Sequence, residues 1–361
     1  MRKLLFVLGD GVYPYRTGGM EIFNFYLIRA LKDSFEILVL GKPIDIDGVK
    51  SRRLLKLRPE KVFVPLQLLL FLITHPAVKK VVFSFAEAHW LVWWLYALFV
   101  KLVRCEAVVV IHHGGVVPKG HFRAYRFFFQ AMKKVIAVSD VIKRNYDGAY
   151  GIKCEVIYPL VPFRKPTDDK SFFRKQFGIP EDANVVTMVG SLKPLKNPQT
   201  LLEAIARMDT GERALFRPFA VFAGGGPMMK DLKKQAEELG IDDFVKFLGI
   251  VPKENVADVL VMSDIYLIAS DSEGTSVSLL EAMYNEVPII SADAPGLSDM
   301  LHDKEDCLMF GVRDSGQLKN CMMNILSNPS EATRRVGNAK SLYCKKYDYQ
   351  NMIKSYLRIL S

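Results

Sequence analysis

Two stretches in which apolar strands alternate with helices, set apart by a proline-rich break, constrain this chain more than any other feature. Apolar runs at residues 4–8, 35–40, 81–85, 107–111 and 134–138 read as buried strands, and residues 22–31 have helical spacing. Residues 158–167 then hold Pro159, Pro162 and Pro166. Proline has no N–H to give and resists continuing either regular structure, so this segment reads as an interdomain linker. Beyond it the order restarts: helix 170–177, strand 184–189, helix 198–208, strand 219–223, and later strands at 265–269, 287–290 and 307–310. Such alternation builds parallel sheets with helices on their faces. The expected fold is therefore α/β, with one doubly wound domain over residues 1–163 and a second over 164–340. An amphipathic helix over 341–361 is expected to follow and to pack back on the first domain. A chain of 361 residues is too long for one core and comfortable for two.

Residues 270–291, SDSEGTSVSLLEAMYNEVPIIS, carry the densest chemical signal. The segment reads as a strand end, a small polar loop, a short helix and another strand. Thr275 or Ser276 caps the helix, since a hydroxyl there accepts an orphan backbone N–H. Val277, Leu280 and Tyr284 fall at the spacing of a buried face. Glu273 then lies in the loop before the helix, and Glu281 on its second turn. Both carboxylates stand beyond the carboxyl end of a parallel strand, where open α/β sheets bind ligands. Acids placed there suit the paired hydroxyls of a ribose or a hexose. The alternative is structural: Ser278-x-x-Glu281 matches a capping box, and Glu273 is a solvated loop acid.

Glu273, Gly274, Glu281, Ala282, Met283, Val287 and Pro288, in this spacing, resemble the E-x7-E segment of the retaining GT-B glycosyltransferases of family 4. The resemblance extends more weakly over most of the chain. Gly18-Gly19-Met20-Glu21, after the first strand, is similar to that family's GG-x-E turn. Paired glycines before a helix N-terminus let the backbone approach a phosphate. A tight turn is the other reading of the pair. Ile111-His112-His113-Gly114 resembles the strand end that carries the family's acceptor-side histidine; His113 fits that register and His112 is the alternative. Gly190-Ser191-Leu192-Lys193-Pro194-Leu195-Lys196 resembles the family's G-R-L…K segment, whose arginine and lysine hold the donor diphosphate. Lys196 matches the lysine, whereas Ser191 stands where arginine is expected. Lys193 can replace that arginine only as a point charge, without its fork. Gly224-Gly225-Gly226-Pro227 resembles the glycine loop bordering the nucleotide. Residues 247–252, with Val251, resemble the segment whose backbone reads the base.

The resemblance implies a GT-B fold of two Rossmann-like domains facing across a cleft. It implies transfer of a hexose, with retention, from a nucleoside-diphosphate sugar to a hydroxyl on a glycan or lipid-linked acceptor. Glu273, Lys196 and His113 would act at the reacting centre. Gly18, Gly19, Ser191, Lys193, Gly225, Val251, Gly274, Thr275, Ser276 and Glu281 would hold the donor. No cofactor and no metal are expected, because lysines and backbone N–H groups would meet the phosphates. A nucleotide-sugar-binding protein without turnover, supported by Ser191, and a GT-B epimerase are the other readings.

The net charge of +10 fits an anionic partner: a nucleotide, a phosphorylated lipid or a membrane surface. No recognised nucleic-acid motif is present, so nucleic acid is not expected. The five cysteines are scattered, with no C-x-x-C pair, which suggests buried thiols in a reducing compartment. Asp45-Ile46-Asp47 reads as loop and not as a metal site. The opening apolar run stops at Gly9-Asp10, too short for a leader, and reads as the first strand. Runs at 62–73 and 90–100 are too short to cross a bilayer and read as core helices, with a membrane-surface role open for one of them. The helix over 121–132 mixes Arg123 and Arg126 with Phe122, Phe127, Phe128 and Phe129. It is either a membrane-surface helix or a core face backed by solvated bases. A cytoplasmic protein, peripheral on the inner face of the membrane, is the expectation.

Overall fold

The computed structural model describes residues 2–8, 19–41, 44–53, 60–84, 90–111 and 121–361. The chain forms two units: Met1–Pro162 with Asp348–Ser361, and Phe163–Tyr347. Both are the expected Rossmann-like α/β sheets.

In the first unit the described strands are β1 (Arg2–Leu8), β2 (Phe35–Gly41), β3 (Lys50–Arg53), β4 (Val78–Ser84), β5 (Glu106–Ile111), β6 (Lys134–Ala137) and β7 (Cys154–Val156). They pair in parallel in the order β3-β2-β1-β4-β5-β6-β7. β1 is buried from Leu4 to Leu8, as a central strand covered on both faces must be. β3 falls in a stretch that reads as irregular, because Lys50-Ser51-Arg52-Arg53 has no apolar residue. It sits at the sheet edge, paired only to β2 among the described residues, where polar side chains are tolerated.

Helices Trp90–Leu102, Phe122–Ala131 and Asp140–Tyr150 enclose an aromatic cluster in which the Trp93 and Phe128 rings meet edge to face at 4.2 Å. In the basic aromatic helix, Tyr125, Phe128 and Phe129 are buried while Arg123 and Arg126 are exposed. The core-face reading holds for Phe128 and Phe129, whereas Phe122 is exposed and Phe127 half-buried.

The amphipathic tail is not one helix. Pro329–Leu342 is followed by a wider turn over Tyr343–Tyr347, and the last helix, Tyr349–Leu360, starts where the Asp348 carboxylate accepts from the Gln350 and Asn351 N–H groups. This helix lies against the helix Gly19–Leu31, with Tyr356 fully buried beside Phe23.

The second unit holds β8 (Asn184–Val189), β9 (Pro218–Ala223), β10 (Val245–Gly249), β11 (Ile265–Ile268), β12 (Ile289–Asp293) and β13 (Leu308–Gly311). Their order is β10-β9-β8-β11-β12-β13, all parallel. The direction of winding reverses between β8 and β11. The end of the proline segment is tied into this unit: Arg164 donates to the Glu254 carbonyl and to Asp258 at 2.6 Å each, and Lys165 to Glu286 at 2.8 Å.

Candidate functional site

At the reversal point, loops leaving the carboxyl ends of β8 and β11 splay apart and open a pocket, as a doubly wound sheet dictates. The pocket is a shallow cleft partly open to solvent, with a cavity volume of about 20 Å³. Its walls include Gly190, Ser191, Lys196, Ser270 and Ser278.

The loop after β8 turns through a 3₁₀ segment, Pro194–Lys196, and ends at Asn197 in the left-handed conformation, φ 46°. Asn197 is fully buried and its amide donates to the Ala269 carbonyl at 3.1 Å and to Asp271. Arg313 grips the same Asp271 at 2.6 Å. That hydrogen-bonded guanidinium holds the Asp271 carboxyl below the usual range. The β8 loop is thereby stitched to the β11 loop, and the stitch delivers the Lys196 ammonium onto Glu273. Ser270 adds a 2.6 Å hydrogen bond to the same Glu273 oxygen. The backbone of Glu273 is fixed from behind: its N–H donates to the Pro295 carbonyl at 3.0 Å, and Gly296, at φ +89°, lies so close that a Cβ would stand 1.9 Å from the Glu273 carbonyl oxygen. Only glycine fits there.

Helix Val277–Asn285 is capped by Ser276, whose hydroxyl accepts from the Leu279 N–H at 3.3 Å, so Ser276 and not Thr275 is the cap. The helix buries Leu279, Leu280, Ala282 and Met283, and Tyr284 lies at its half-buried margin. The buried face is wider than Val277, Leu280 and Tyr284 predict, because sheet, helix Val256–Val261 and the C-terminal segments pack against it from different sides.

Glu281, 2% exposed, takes both oxygens to one partner, Lys253, at 2.7 and 2.6 Å. The capping-box alternative for Glu281 fails, since its carboxylate serves Lys253 and not the helix start. Burial pushes the Glu281 carboxyl up, and the charges of Lys253 and Arg164 act against that push. Lys253 itself stands over the Phe163 ring, 4.9 Å from its centre.

The β9 loop closes against its neighbours. A Cβ on Gly224 would lie 1.7 Å from the Gly190 carbonyl oxygen, and the Leu192 N–H donates to the Gly225 carbonyl at 2.9 Å. A Cβ on Gly225 would stand 2.9 Å from the Ile250 side chain, and half-buried Val251 packs on the core of this unit. Lys196, Ser191, Gly225, Val251, Glu273, Gly274, Thr275, Ser276 and Glu281 thus all lie beyond the carboxyl edge of one sheet. Lys193 is exposed and makes no side-chain hydrogen bond or ion pair among the described residues. Gly19 begins helix Gly19–Leu31 in the first unit. Gly18, His112 and His113 lie outside the described residues. Among those that are described, no cluster of three or more His, Cys, Asp or Glu side chains could hold a metal ion. Sequence reasoning missed Lys253, Asn197, Asp271 and Arg313, which no motif marks. Each acts through a partner distant in the chain.

Residues 169–342 match the family described as glycosyl transferases group 1. The second unit carries a domain of that family. A D-inositol 3-phosphate glycosyltransferase of Gordonia bronchialis is 28% identical over 197 residues, covering 52% of this chain and 43% of the relative. The GalNAc-alpha-(1->4)-GalNAc-alpha-(1->3)-diNAcBac-PP-undecaprenol alpha-1,4-N-acetyl-D-galactosaminyltransferase of Campylobacter jejuni is 30% identical over 182 residues, 50% of this chain and 49% of that one. The chain spans about half the length of the curated relatives it matches. The crystal structure of Anabaena Alr3699/HepE in complex with UDP superposes over 99% of both chains, with a TM-score of 0.83 at 18% identity. Its likeness extends the GT-B fold to the first unit, which the family match does not reach.

Proposed function

We propose that this chain is a retaining glycosyltransferase that moves a hexose from a nucleoside-diphosphate sugar to a hydroxyl of a glycan or lipid-linked acceptor. The observation that carries the reading is the contact of Lys196, which lines the pocket between β8 and β11, with Glu273. In this reading that cation and carboxylate meet a donor's phosphates and sugar hydroxyls. The UDP complex of the HepE neighbour and the names of the relatives support a nucleotide-sugar donor.

In this reading Glu281 accepts from the ribose diol and Glu273 orients the hexose hydroxyls. As the bond from the anomeric carbon to the diphosphate oxygen breaks, negative charge grows on that oxygen, and Lys196 stabilises it. Lys193, which has no side-chain partner among the described residues, adds a second cation. The acceptor oxygen bonds to the anomeric carbon on the face the diphosphate leaves, and its proton passes to the departing phosphate. These cations do the work assigned elsewhere to a metal, so transfer is proposed to need none. Ser191, Gly225, Val251, Gly274, Thr275 and Ser276 line the donor; by family resemblance alone, Gly18 and Gly19 serve its phosphates and His113 the acceptor. The protein would work from the cytoplasm as a peripheral protein on an anionic membrane surface.

Ser191, where the family has arginine, favours a second reading: a donor-binding protein without turnover. Incubation with a panel of labelled nucleotide-sugars and lipid-linked glycan acceptors separates the two. Transfer to an acceptor is the expected result; saturable binding without nucleotide release supports the second reading, and no binding at all removes both.

A further inference from the structure

The two apolar runs at 62–73 and 90–100 are only partly absorbed by the core. Helix Glu60–Thr74 turns Leu68, Phe71 and Leu72 inward but leaves Leu66, Leu70 and Ile73 exposed by 41%, 62% and 59%. Helix Trp90–Leu102, packed beside it, buries Trp93, Tyr96, Phe99 and Val100 and leaves out Trp94, Leu98 and Leu102. The spacings i, i+4, i+7 on one helix and i, i+4, i+8 on the other make each set a stripe on a single face. Large apolar side chains scattered singly over a surface need no explanation, but two adjoining stripes do.

The rim of these stripes is basic. Lys101 stands over the Phe127 ring at 4.6 Å, and Phe127 also neighbours Trp94 at 6.2 Å, which joins the third helix, Phe122–Ala131, to the patch. Arg123 lies one turn from Phe127 on that helix. Lys101, Arg104, Arg123 and Arg126 are exposed and form no ion pair among the described residues. Between residues 61 and 134 the acids are Glu87 and Glu106, and Glu106 is already paired to Lys133 and Lys80. Among the described residues no helix is long and apolar enough to cross a membrane.

We propose that the faces of helices Glu60–Thr74 and Trp90–Leu102 seat this chain on an anionic phospholipid bilayer. Leu66, Leu70, Ile73, Trp94, Leu98 and Leu102 enter the headgroup boundary, and Lys101, Arg104 and Arg123 meet lipid phosphates. Unpaired bases around an apolar centre, with no compensating acid among the described residues, are the complement of such a surface and not of a second copy of the same basic face. This deepens the membrane part of the function proposed above by naming the surface. It also moves that role from the helix over 121–132, which serves as rim, to its two neighbours. None of these residues touches the donor pocket, so the test does not depend on sugar transfer.

The full chain is co-sedimented with vesicles of phosphatidylcholine alone and of phosphatidylcholine mixed with phosphatidylglycerol. Binding to the mixed vesicles is expected, with a blue shift of tryptophan emission that Trp94→Phe removes. Lys101→Gln and Arg123→Gln should each weaken partition about five-fold, the size expected for one surface base. Leu70→Asp with Leu98→Asp should abolish it while nucleotide binding, measured by calorimetry, is kept. Wild-type protein that ignores anionic vesicles overturns the proposal, whether or not the variants fold. So does a wild-type dimer dispersed by the same double substitution, which would assign the patch to a second copy.

Discussion

Lys253 gives both carboxylate oxygens of Glu281 a hydrogen bond, at 2.7 and 2.6 Å, and the two side chains are 10% and 2% exposed. An acid that the E-x7-E spacing marks for a ligand's hydroxyls is thus kept company by a lysine that no spacing marks. A buried carboxylate without a cation would be driven toward its neutral form, and a neutral acid is a weaker acceptor for a ribose diol. Lys253 opposes that push on Glu281 with its charge and its two hydrogen bonds.

Removing that partner strands the acid. Lys253→Met should destabilise the second unit by about 3–5 kcal/mol, the usual cost of breaking a buried pair from one side. A urea midpoint unchanged from wild type would show that the pair contributes nothing.

Glu281→Ala should weaken nucleotide binding even without an acceptor. The sign with pH follows from burial, which raises the carboxyl above its ordinary value. Wild-type affinity should begin to fall, as pH drops, at a value above the glutamate norm of about 4.3, because protonation removes the charge that accepts the hydroxyls. Calorimetric titration across acid pH reads both effects, and equal affinities for mutant and wild type would detach Glu281 from the nucleotide.

Lys196→Ala should slow transfer by ~10²–10³, the usual size for loss of one charge-stabilising group. The kcat/KM measured with a labelled donor checks this. A near-normal value would remove Lys196 from the mechanism whatever its contact with Glu273.

Gly296→Ala tests the backing of the acidic loop. With φ at +89° and a Cβ 1.9 Å from the Glu273 carbonyl oxygen, the new methyl must displace that loop. A loss of about 1–3 kcal/mol is expected from the strained backbone alone, with a further fall in donor affinity. Full retention of both, read by melting and calorimetry, would mean that the loop position is not set from behind.

Asp271 carries a separate dependence on pH. Its carboxyl is held low by the hydrogen bond from Arg313, so its contribution to stability is present above the unfolded value, about 3.9, and is lost as pH falls through the lower folded value. The wild type should therefore lose melting temperature more steeply than Asp271→Asn below about pH 4. Superimposable profiles would contradict this.

The periodicity of apolar residues and the placement of glycine and proline were enough to read two wound α/β sheets from the amino-acid sequence. Those signals are local: a buried parallel strand must be an apolar run, and a helix must repeat every three or four residues. Glu273, Glu281 and Lys196 were marked as candidates by the resemblance of two short segments, 270–291 and 190–196, to a known family, since spacing alone left a capping box and a basic loop open. Edge strand Lys50–Arg53 was hidden because an edge needs no apolar face. The meeting of Lys196 with Glu273, of Lys253 with Glu281, and of Asn197 and Arg313 at Asp271 joins residues 28 to 116 positions apart. Only the winding order of the second sheet decided these, since it sets which loops share the carboxyl edge, and a charge that is solvated in one arrangement is buried and paired in another.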